Sequence, residues 1–242
     1  MTFTWLSEPH RARALLAEFV GTGALVTAVV GSGAMAQRLS PNDVGLQLFQ
    51  NAVATGAALY VLIVVFAPLS GAQFNPIVTG VDVSLSPQRS LADAGGYVLV
   101  QTLGAVLGAV VANAMFDLPI LGPSAHDRLH ATLLFGEVVA TAGLVTVIFG
   151  LVRAGRAALV APAVAAYITA AYFFTSSTSF ANPAVTVGRM FTDSFAGIAP
   201  SSVMPFIGAQ VLGGLLGYAL VRLLWPAAVG DASEADTMER SA

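Results

Sequence analysis

Long apolar segments, each interrupted by only a few polar residues, dominate the hydropathy pattern of this chain. A helix that crosses a bilayer needs about 20 consecutive apolar residues. Six segments reach that length, at roughly residues 12–35, 46–67, 96–116, 131–152, 157–177 and 202–225. The pattern therefore predicts six membrane-spanning helices.

Two further apolar segments, at about 75–86 and 182–193, begin with Asn-Pro and are too short to cross a bilayer. Proline is favoured in the first turn of a helix, because its missing N–H would have no partner there. Backbone that leaves a helix at membrane depth persists only where protein or a water-filled cavity satisfies it. We therefore predict two re-entrant half-helices whose tips meet at a pore or central site.

The two halves of the chain repeat each other. Residues 18–27 and 137–146 share Glu, Val, Thr, Leu, Val and Thr at matching positions. The pattern Gln-x-Leu-Gly-x-x-x-Gly occurs at 101–108 and again at 210–217. The paired glycines of this pattern allow spans to approach closely. Each half holds three spans, an odd number, so the second half must be inverted in the membrane.

These features predict an all-α membrane protein with six transmembrane helices and two half-helices, arranged as two inverted three-helix repeats. Broken helices at the interface of such repeats place a binding or transport site near the middle of the bilayer. We expect one domain over residues 1–225, with repeats at about 12–116 and 131–225. Residues 226–242 are polar and acidic and are expected to form a disordered tail.

Composition agrees with a membrane protein. Of the 242 residues, 56% are hydrophobic and 10% are charged, whereas about 25% are charged in a soluble domain. The net charge of −3 identifies no partner and gives no indication of nucleic-acid binding. The chain has no cysteine, which excludes disulfides and thiolate metal sites. Its three histidines are scattered, so we expect no metal and no cofactor.

Arginine positions orient the chain, because short loops rich in Arg or Lys stay on the cytoplasmic side. With a cytoplasmic N-terminus, only Arg38 and Arg128 lie in outer loops. The cytoplasmic set is then Arg11, Arg13, Arg89, Arg153, Arg156, Arg222 and Arg240. We therefore expect a multi-pass protein of the plasma membrane, with both termini in the cytoplasm.

Asn75 and Asn182 are the principal candidates for a functional role. A side-chain amide at the tip of each half-helix can hydrogen-bond a passing neutral solute, while the two positive helix ends repel cations, including protons. Asn-Pro is also a common turn dipeptide, but two copies in register with the repeat favour half-helices. The sequence therefore predicts an uncoupled channel for small neutral solutes.

Glu18 and Glu137 are acidic residues within the spans, at equivalent positions of the repeat. An ionisable residue inside a membrane is functional by default, so proton transport is one interpretation. We favour a structural role, in which each carboxylate accepts backbone N–H groups from the loop before a half-helix.

Three motifs resemble those of the aquaporin, or major intrinsic protein, family. They are Ala17-Glu18-Phe19-x-Gly21-Thr22, Ser70-Gly71-Ala72-x-x-Asn75-Pro76 and Asn182-Pro183-Ala184. The resemblance covers about residues 14–225 and implies six tilted spans, a pore in each subunit and a homotetramer. Ile77 stands where the family motif has alanine, which places a bulkier side chain beside the membrane midplane.

The resemblance also implies an outer constriction that acts as a selectivity filter. Family members usually carry Arg three residues after the second Asn, where this chain has Val185. Counting from the Asn-Pro motifs assigns Thr55 and Ser179 to two further filter positions. The position on the fifth span is either Ala170 or Phe173, depending on which end of that span is aligned.

These residues imply a wide filter without a fixed charge. Thr55, Val185 and the stretch 178–186 look like those of bacterial aquaglyceroporins associated with arsenic resistance. That resemblance implies passage of arsenite or other metalloid hydroxides, glycerol and water. Arg189, one turn after Val185, either lines the outer vestibule or turns to the membrane interface or to loop carbonyls.

Three alternative functions are also compatible with these sequence features. A water-selective aquaporin has the same architecture, and an ion-coupled secondary transporter can share the inverted repeat. A purely structural membrane protein of the same fold is a third alternative. Enzymatic activity is not expected.

Overall fold

A computed structural model of the chain describes residues 8–86 and 90–226. In chain order its helices are α1 (Glu8–Leu39), α2 (Val44–Ser70), α3 (Pro76–Leu85), α4 (Leu91–Met115), α5 (Ala131–Arg153), α6 (Val160–Phe174), α7 (Pro183–Arg189) and α8 (Pro200–Leu224). A short 3-10 turn, Ala157–Leu159, leads into α6. With this turn included, six helices are long and apolar enough to cross a membrane, and α3 and α7 are the short ones.

This arrangement confirms the predicted fold class. Several boundaries differ from the sequence-based expectation by up to five residues: α4 begins at Leu91, the fifth span ends at Phe174 and the second half-helix ends at Arg189. Residues 175–181 form the irregular loop that leads into α7. The expected tail lies, apart from Pro226, outside the described residues, as do Arg89 and Arg240.

Within each repeat the first span packs closely against the last. A Cβ at Gly104 of α4 would lie 2.3 Å from the backbone oxygen of Phe19 on α1. A Cβ at Gly213 of α8 would lie 2.5 Å from the backbone oxygen of Val138 on α5. Because only glycine permits so close an approach of two backbones, the repeated glycines have the packing role predicted for them.

The two repeats meet where α2 packs against α6 and where α3 approaches α7. The largest buried apolar cluster lies between them and includes Val26, Leu59, Leu144 and Val164, which come from α1, α2, α5 and α6 respectively. We call the side on which α1 begins the N-terminal face. The side of the α1–α2 and α4–α5 connections is the far face. On the far face, the N–H of Ser124 donates to the carbonyl of Met190 at 3.0 Å, so α7 runs from the middle of the bundle toward this face.

Candidate functional site

The tips of the two half-helices are joined in the middle of the bundle. Nδ2 of Asn75 donates to the carbonyl of Ala181 at 2.8 Å. Nδ2 of Asn182 donates to the carbonyl of Phe74 at 2.7 Å. Each Asn thus binds the residue that precedes the other Asn, and the two repeats hold each other's tips in place.

Each Asn also begins its own helix. Oδ1 of Asn75 accepts the N–H of Ile77 at 2.9 Å. Oδ1 of Asn182 accepts the N–H groups of Ala184 and Val185 at 3.0 and 3.2 Å. Side-chain capping, together with the proline that follows each Asn, explains why both half-helices start at these positions.

Both Asn side chains line a cavity of about 100 Å³, large enough for several water molecules. The cavity extends from Ile148 and Val160 to Val185 and Arg189, the latter at the end of α7 toward the far face. An amide nitrogen carries two N–H donors, and the opposite loop uses one donor of each Asn. The second donor of each amide is therefore available to a solute in the cavity.

The loops that precede the two Asn residues share an unusual backbone. Phe74 and Ala181, directly before them, have φ of 51° and 49°. Ala72 and Ser179, three residues before them, have φ of 49° and 50°. Such left-handed conformations cost a non-glycine residue on the order of 1–3 kcal/mol and persist only where the surroundings hold them. The same strain in both repeats indicates that both loops need this geometry.

Glu18 holds the first of these loops. Its carboxylate accepts the N–H groups of Gln73 and Phe74 at 2.9 and 2.7 Å. It also accepts the hydroxyl of Ser70 at 2.6 Å and Nε2 of Gln101 at 2.8 Å. Both carboxylate oxygens are therefore engaged by donors from α2, the loop and α4.

Glu137 makes the equivalent contacts in the second repeat. It accepts the N–H groups of Phe180 and Ala181, both at 2.8 Å. Gln210 donates to it at 2.7 Å and also to Oγ1 of Thr186 at 2.9 Å. In the sequence, Gln101 and Gln210 are visible only as matching repeat positions, and this identical spacing in the two halves is the one signal of their role.

The residues that line the far end of the cavity include Thr55, Tyr172, Ser179 and Val185. The hydroxyl oxygens of Thr55 and Tyr172 lie 3.2 Å apart and share a hydrogen bond. Oγ of Ser179 is buried and has no hydrogen-bond partner among the described residues. Three of these four residues therefore carry hydroxyl groups, and the fourth, Val185, is apolar.

Neither residue predicted for the fifth span lines this cavity, whereas Tyr172, which lies between them in the sequence, does. Ala170 is exposed, and Phe173 is 53% exposed on the outer surface of the helix bundle. Consecutive helical residues point about 100° apart, so Phe173 and Tyr172 face different surroundings. Counting along the sequence did not indicate Tyr172, because the count depends on the shape of the irregular loop between α6 and α7, which the sequence does not show.

Ile77, the bulkier residue of the first Asn-Pro motif, does not face the cavity. It is absent from the cavity wall and packs against Gly214 of α8. Its counterpart Ala184 lies in the largest buried apolar cluster. The second residue after each Asn therefore contributes to helix packing, and the Asn side chains themselves face the cavity.

Arg189, the last residue of α7, is 2% exposed and lines the far end of the same cavity. Its Nε donates to the carbonyl of Ala196 in the loop before α8. Arg189 therefore combines two of the roles expected for it, because it lines the cavity and also binds a loop carbonyl.

Six apolar spans, two half-helices joined at their tips and a cavity between inverted repeats define a membrane channel. The sequence profile described as Major intrinsic protein matches residues 5–176. The chain belongs to the major intrinsic protein family, whose aquaglyceroporins are channels and not enzymes.

Individual relatives agree with this assignment. Aquaglyceroporin AqpS of Rhizobium meliloti (strain 1021) is 48% identical over 223 residues, which cover 92% of this chain and 94% of the relative. The lens fiber major intrinsic protein of Mus musculus is 35% identical over 170 residues, covering 67% of this chain and 62% of the relative. The X-ray structure of the aquaglyceroporin from Plasmodium falciparum aligns with a TM-score of 0.67 at 20% identity. That alignment covers 93% of this chain and 99% of the other, and it confirms the fold.

Proposed function

We propose that this channel passively passes glycerol and arsenite or other neutral metalloid hydroxides, together with water. The supporting observation is the far end of the cavity, where Thr55, Tyr172 and Ser179 present hydroxyl groups beside Val185. Orthodox water channels carry a bulky aromatic residue at the position of Thr55. A threonine there, with valine in place of arginine, leaves room for a solute larger than water.

Hydroxyl groups suit this class of solute because each one both donates and accepts hydrogen bonds. Glycerol and trivalent arsenic hydroxide each carry three hydroxyls that must lose water when they enter a narrow pore. Ser179 lines the cavity, and its Oγ, which is buried without a partner among the described residues, has unused capacity to hydrogen-bond such a solute. The aquaglyceroporin name of the Rhizobium relative supports a solute range beyond water.

The contacts of the two buried carboxylates favour passive flow over ion coupling. Glu18 and Glu137 each bind two backbone N–H groups and a glutamine amide. Protonation would weaken these bonds to loops that already hold strained backbone. We therefore propose that both glutamates hold the loops and carry no protons.

The proposal is tested by stopped-flow measurements on proteoliposomes with water, glycerol, urea and arsenite, each with and without a proton or sodium gradient. Passive passage predicts glycerol and arsenite fluxes that rise linearly with concentration and do not respond to the gradient. Water flux alone would favour a water-selective channel. Saturable, gradient-dependent uptake would favour a transporter, and the absence of all flux would favour a structural protein.

Assembly and orientation form a separate part of the proposal: a homotetramer in the plasma membrane with the N-terminal face in the cytoplasm. The N-terminal face carries Arg11, Arg13, Arg153, Arg156 and Arg222, and the far face carries Arg38 and Arg128. Native mass spectrometry tests the tetramer. Single cysteines at the exposed positions Ala157 and Leu121, in a chain without native cysteine, test the orientation. An impermeant thiol reagent outside intact cells should label only Leu121→Cys.

A further inference from the structure

The chain lacks an arginine three residues after Asn182, yet it has one seven residues after it. Arg189 lies one helical turn beyond Val185, about 6 Å further along the axis of α7. Its side chain is almost fully buried and still contributes to the wall of the cavity. A guanidinium is therefore present at the far end of the cavity, one helical turn beyond Val185, the position where family members usually carry arginine.

The contacts of Arg189 leave most of its donors unused. A guanidinium carries five N–H donors, and Nε uses one of them on the carbonyl of Ala196. The two terminal nitrogens have no hydrogen-bond partner among the described residues, and no ion pair joins Arg189 to a carboxylate there. Because a buried charge is costly without partners, these donors require water or solute in the cavity.

Phe180 holds the guanidinium against the wall. Cζ of Arg189 lies 3.3 Å from the centroid of the Phe180 ring, a cation–π contact. Cζ of Arg128, from the α4–α5 connection, lies 5.0 Å from the same centroid, and its Nε donates to the carbonyl of Gly197 at 2.9 Å. Two positive charges therefore lie near this end of the cavity, and the nearer one is fixed by a ring and a carbonyl.

The equivalent position in the first repeat carries the opposite charge. Asp82 follows Asn75 by seven residues, as Arg189 follows Asn182. Asp82 accepts Nε2 of Gln73 at 2.5 Å, and Gln73 lines the cavity toward the N-terminal face. The two half-helices thus carry opposite charges at equivalent positions of the repeat.

We propose that Arg189 is a specificity-determining residue of this channel. It supplies at the far end of the cavity the positive charge and N–H donors that Val185 does not supply. The inference rests on the proposed function, a pore for neutral solutes. Because the guanidinium is packed on Phe180, it repels cations and donates to solute oxygens without narrowing the passage beside Val185. The pore thereby combines a wide filter with exclusion of cations.

The test compares proteoliposomes of wild type, Arg189→Met and Arg189→Lys, with cation leak measured by a pH-sensitive dye and a potassium electrode. Arg189→Met keeps a long apolar side chain and removes the charge, and we expect its cation leak to rise on the order of tenfold. Arg189→Lys keeps the charge and should retain cation exclusion while glycerol flux falls, because it loses the guanidinium donors. Arg38→Met is the matched control. Arg38 also binds a backbone carbonyl and lies over a phenylalanine ring, that of Phe116, but outside the cavity.

A rescue variant separates a direct role from a structural one. Val185→Arg combined with Arg189→Met returns a guanidinium to the cavity one turn earlier, so cation leak should return to the wild-type value while glycerol flux falls. If the cation leak stays high in the folded double variant, Arg189 has a structural role and the proposal is overturned. If Arg189→Met is not recovered folded, Arg189→Gln, which keeps polar N–H donors, replaces it in the same comparison.

Failure of this inference is distinguishable from failure of the proposed function. Wild-type glycerol flux with an unchanged cation leak in folded Arg189→Met would reject the role of Arg189 and leave the solute pore intact. Absence of glycerol and arsenite flux in wild type would reject the pore for larger solutes before any variant is compared.

Discussion

Cγ2 of Ile77 lies 2.5 Å from the point that a Cβ would occupy at Gly214 of α8. The large side chain on the first half-helix is accommodated because the facing helix has none. In the second half-helix the equivalent positions hold Ala184 and Ala105, two small side chains. The departure from alanine in the first motif is therefore matched by a departure on the helix that it contacts, and the cavity keeps its width.

This contact predicts that substitutions at Gly214 and Ile77 affect stability together, according to the size of the two side chains. Gly214→Ala should lower the free energy of unfolding by about 1–3 kcal/mol, because it overpacks the contact with Ile77. Adding Ile77→Ala should recover much of that loss. Gly208→Ala, on the same helix with open space at its Cβ, is the control. Unfolding by titration with a denaturing detergent measures all four proteins, and equal stability of Gly214→Ala and Gly208→Ala would contradict the contact.

A second prediction distinguishes Tyr172 from its neighbour Phe173. Tyr172→Phe removes the hydroxyl that bonds Thr55 and leaves the ring in place. Loss of about 1 kcal/mol of hydrogen bonding corresponds to a change of about fivefold in the ratio of glycerol flux to water flux. Phe173→Leu, on the outer surface of the helix bundle, should leave that ratio unchanged. The opposite pattern would return Phe173 to the filter.

The third prediction concerns the width of the passage at Val185. Val185→Arg should reduce glycerol and arsenite flux more than water flux, because it adds bulk and charge where the cavity ends. Val185→Leu adds bulk alone and should have a smaller effect on arsenite. An unchanged ratio of glycerol to water flux in correctly folded Val185→Arg would mean that Val185 is not at the constriction, and the wide-filter mechanism would then be withdrawn.

The fourth prediction concerns the buried carboxylates. Glu18→Gln and Glu137→Gln should each reduce stability and the yield of folded protein, because hydrogen bonds to a charged acceptor contribute about 1.5–3 kcal/mol each. The new amide group also points donors at backbone N–H groups. The folded fraction of each variant should still pass glycerol passively. Full stability combined with the loss of gradient-driven uptake would instead identify a proton carrier. Asp117→Asn, in the exposed α4–α5 connection, serves as the control.

The fifth prediction uses the absence of cysteine from the sequence. Mercuric chloride needs a thiolate to bind covalently, so it should not inhibit the wild-type protein. Ser179→Cys places a thiol in the cavity and should produce inhibition that an added thiol reverses. Ser201→Cys, exposed at the start of α8, should bind mercury without losing flux. Reversible inhibition of the wild type would contradict this account.

The sequence by itself determined the fold of this protein. Span number follows from the lengths of the apolar segments, and inversion follows from an odd number of spans in each repeat. Residue type and spacing were sufficient to predict the two Asn-Pro half-helices and the close packing of helices at Gly104 and Gly213. These features are local or repeated along the chain, so they survive errors of a few residues in any boundary.

Only the tertiary structure decided which side chains reach the cavity. An error of one residue in α6 turns a side chain by about 100°, which is the difference between Tyr172 in the cavity and Phe173 outside it. Ile77 faces Gly214 and not the cavity because of how α3 is rotated against α8. Arg189 faces the cavity because Phe180 and a loop carbonyl hold it there. Helix rotation and loop shape result from contacts between residues far apart in the chain, and those contacts leave no periodic pattern in the sequence.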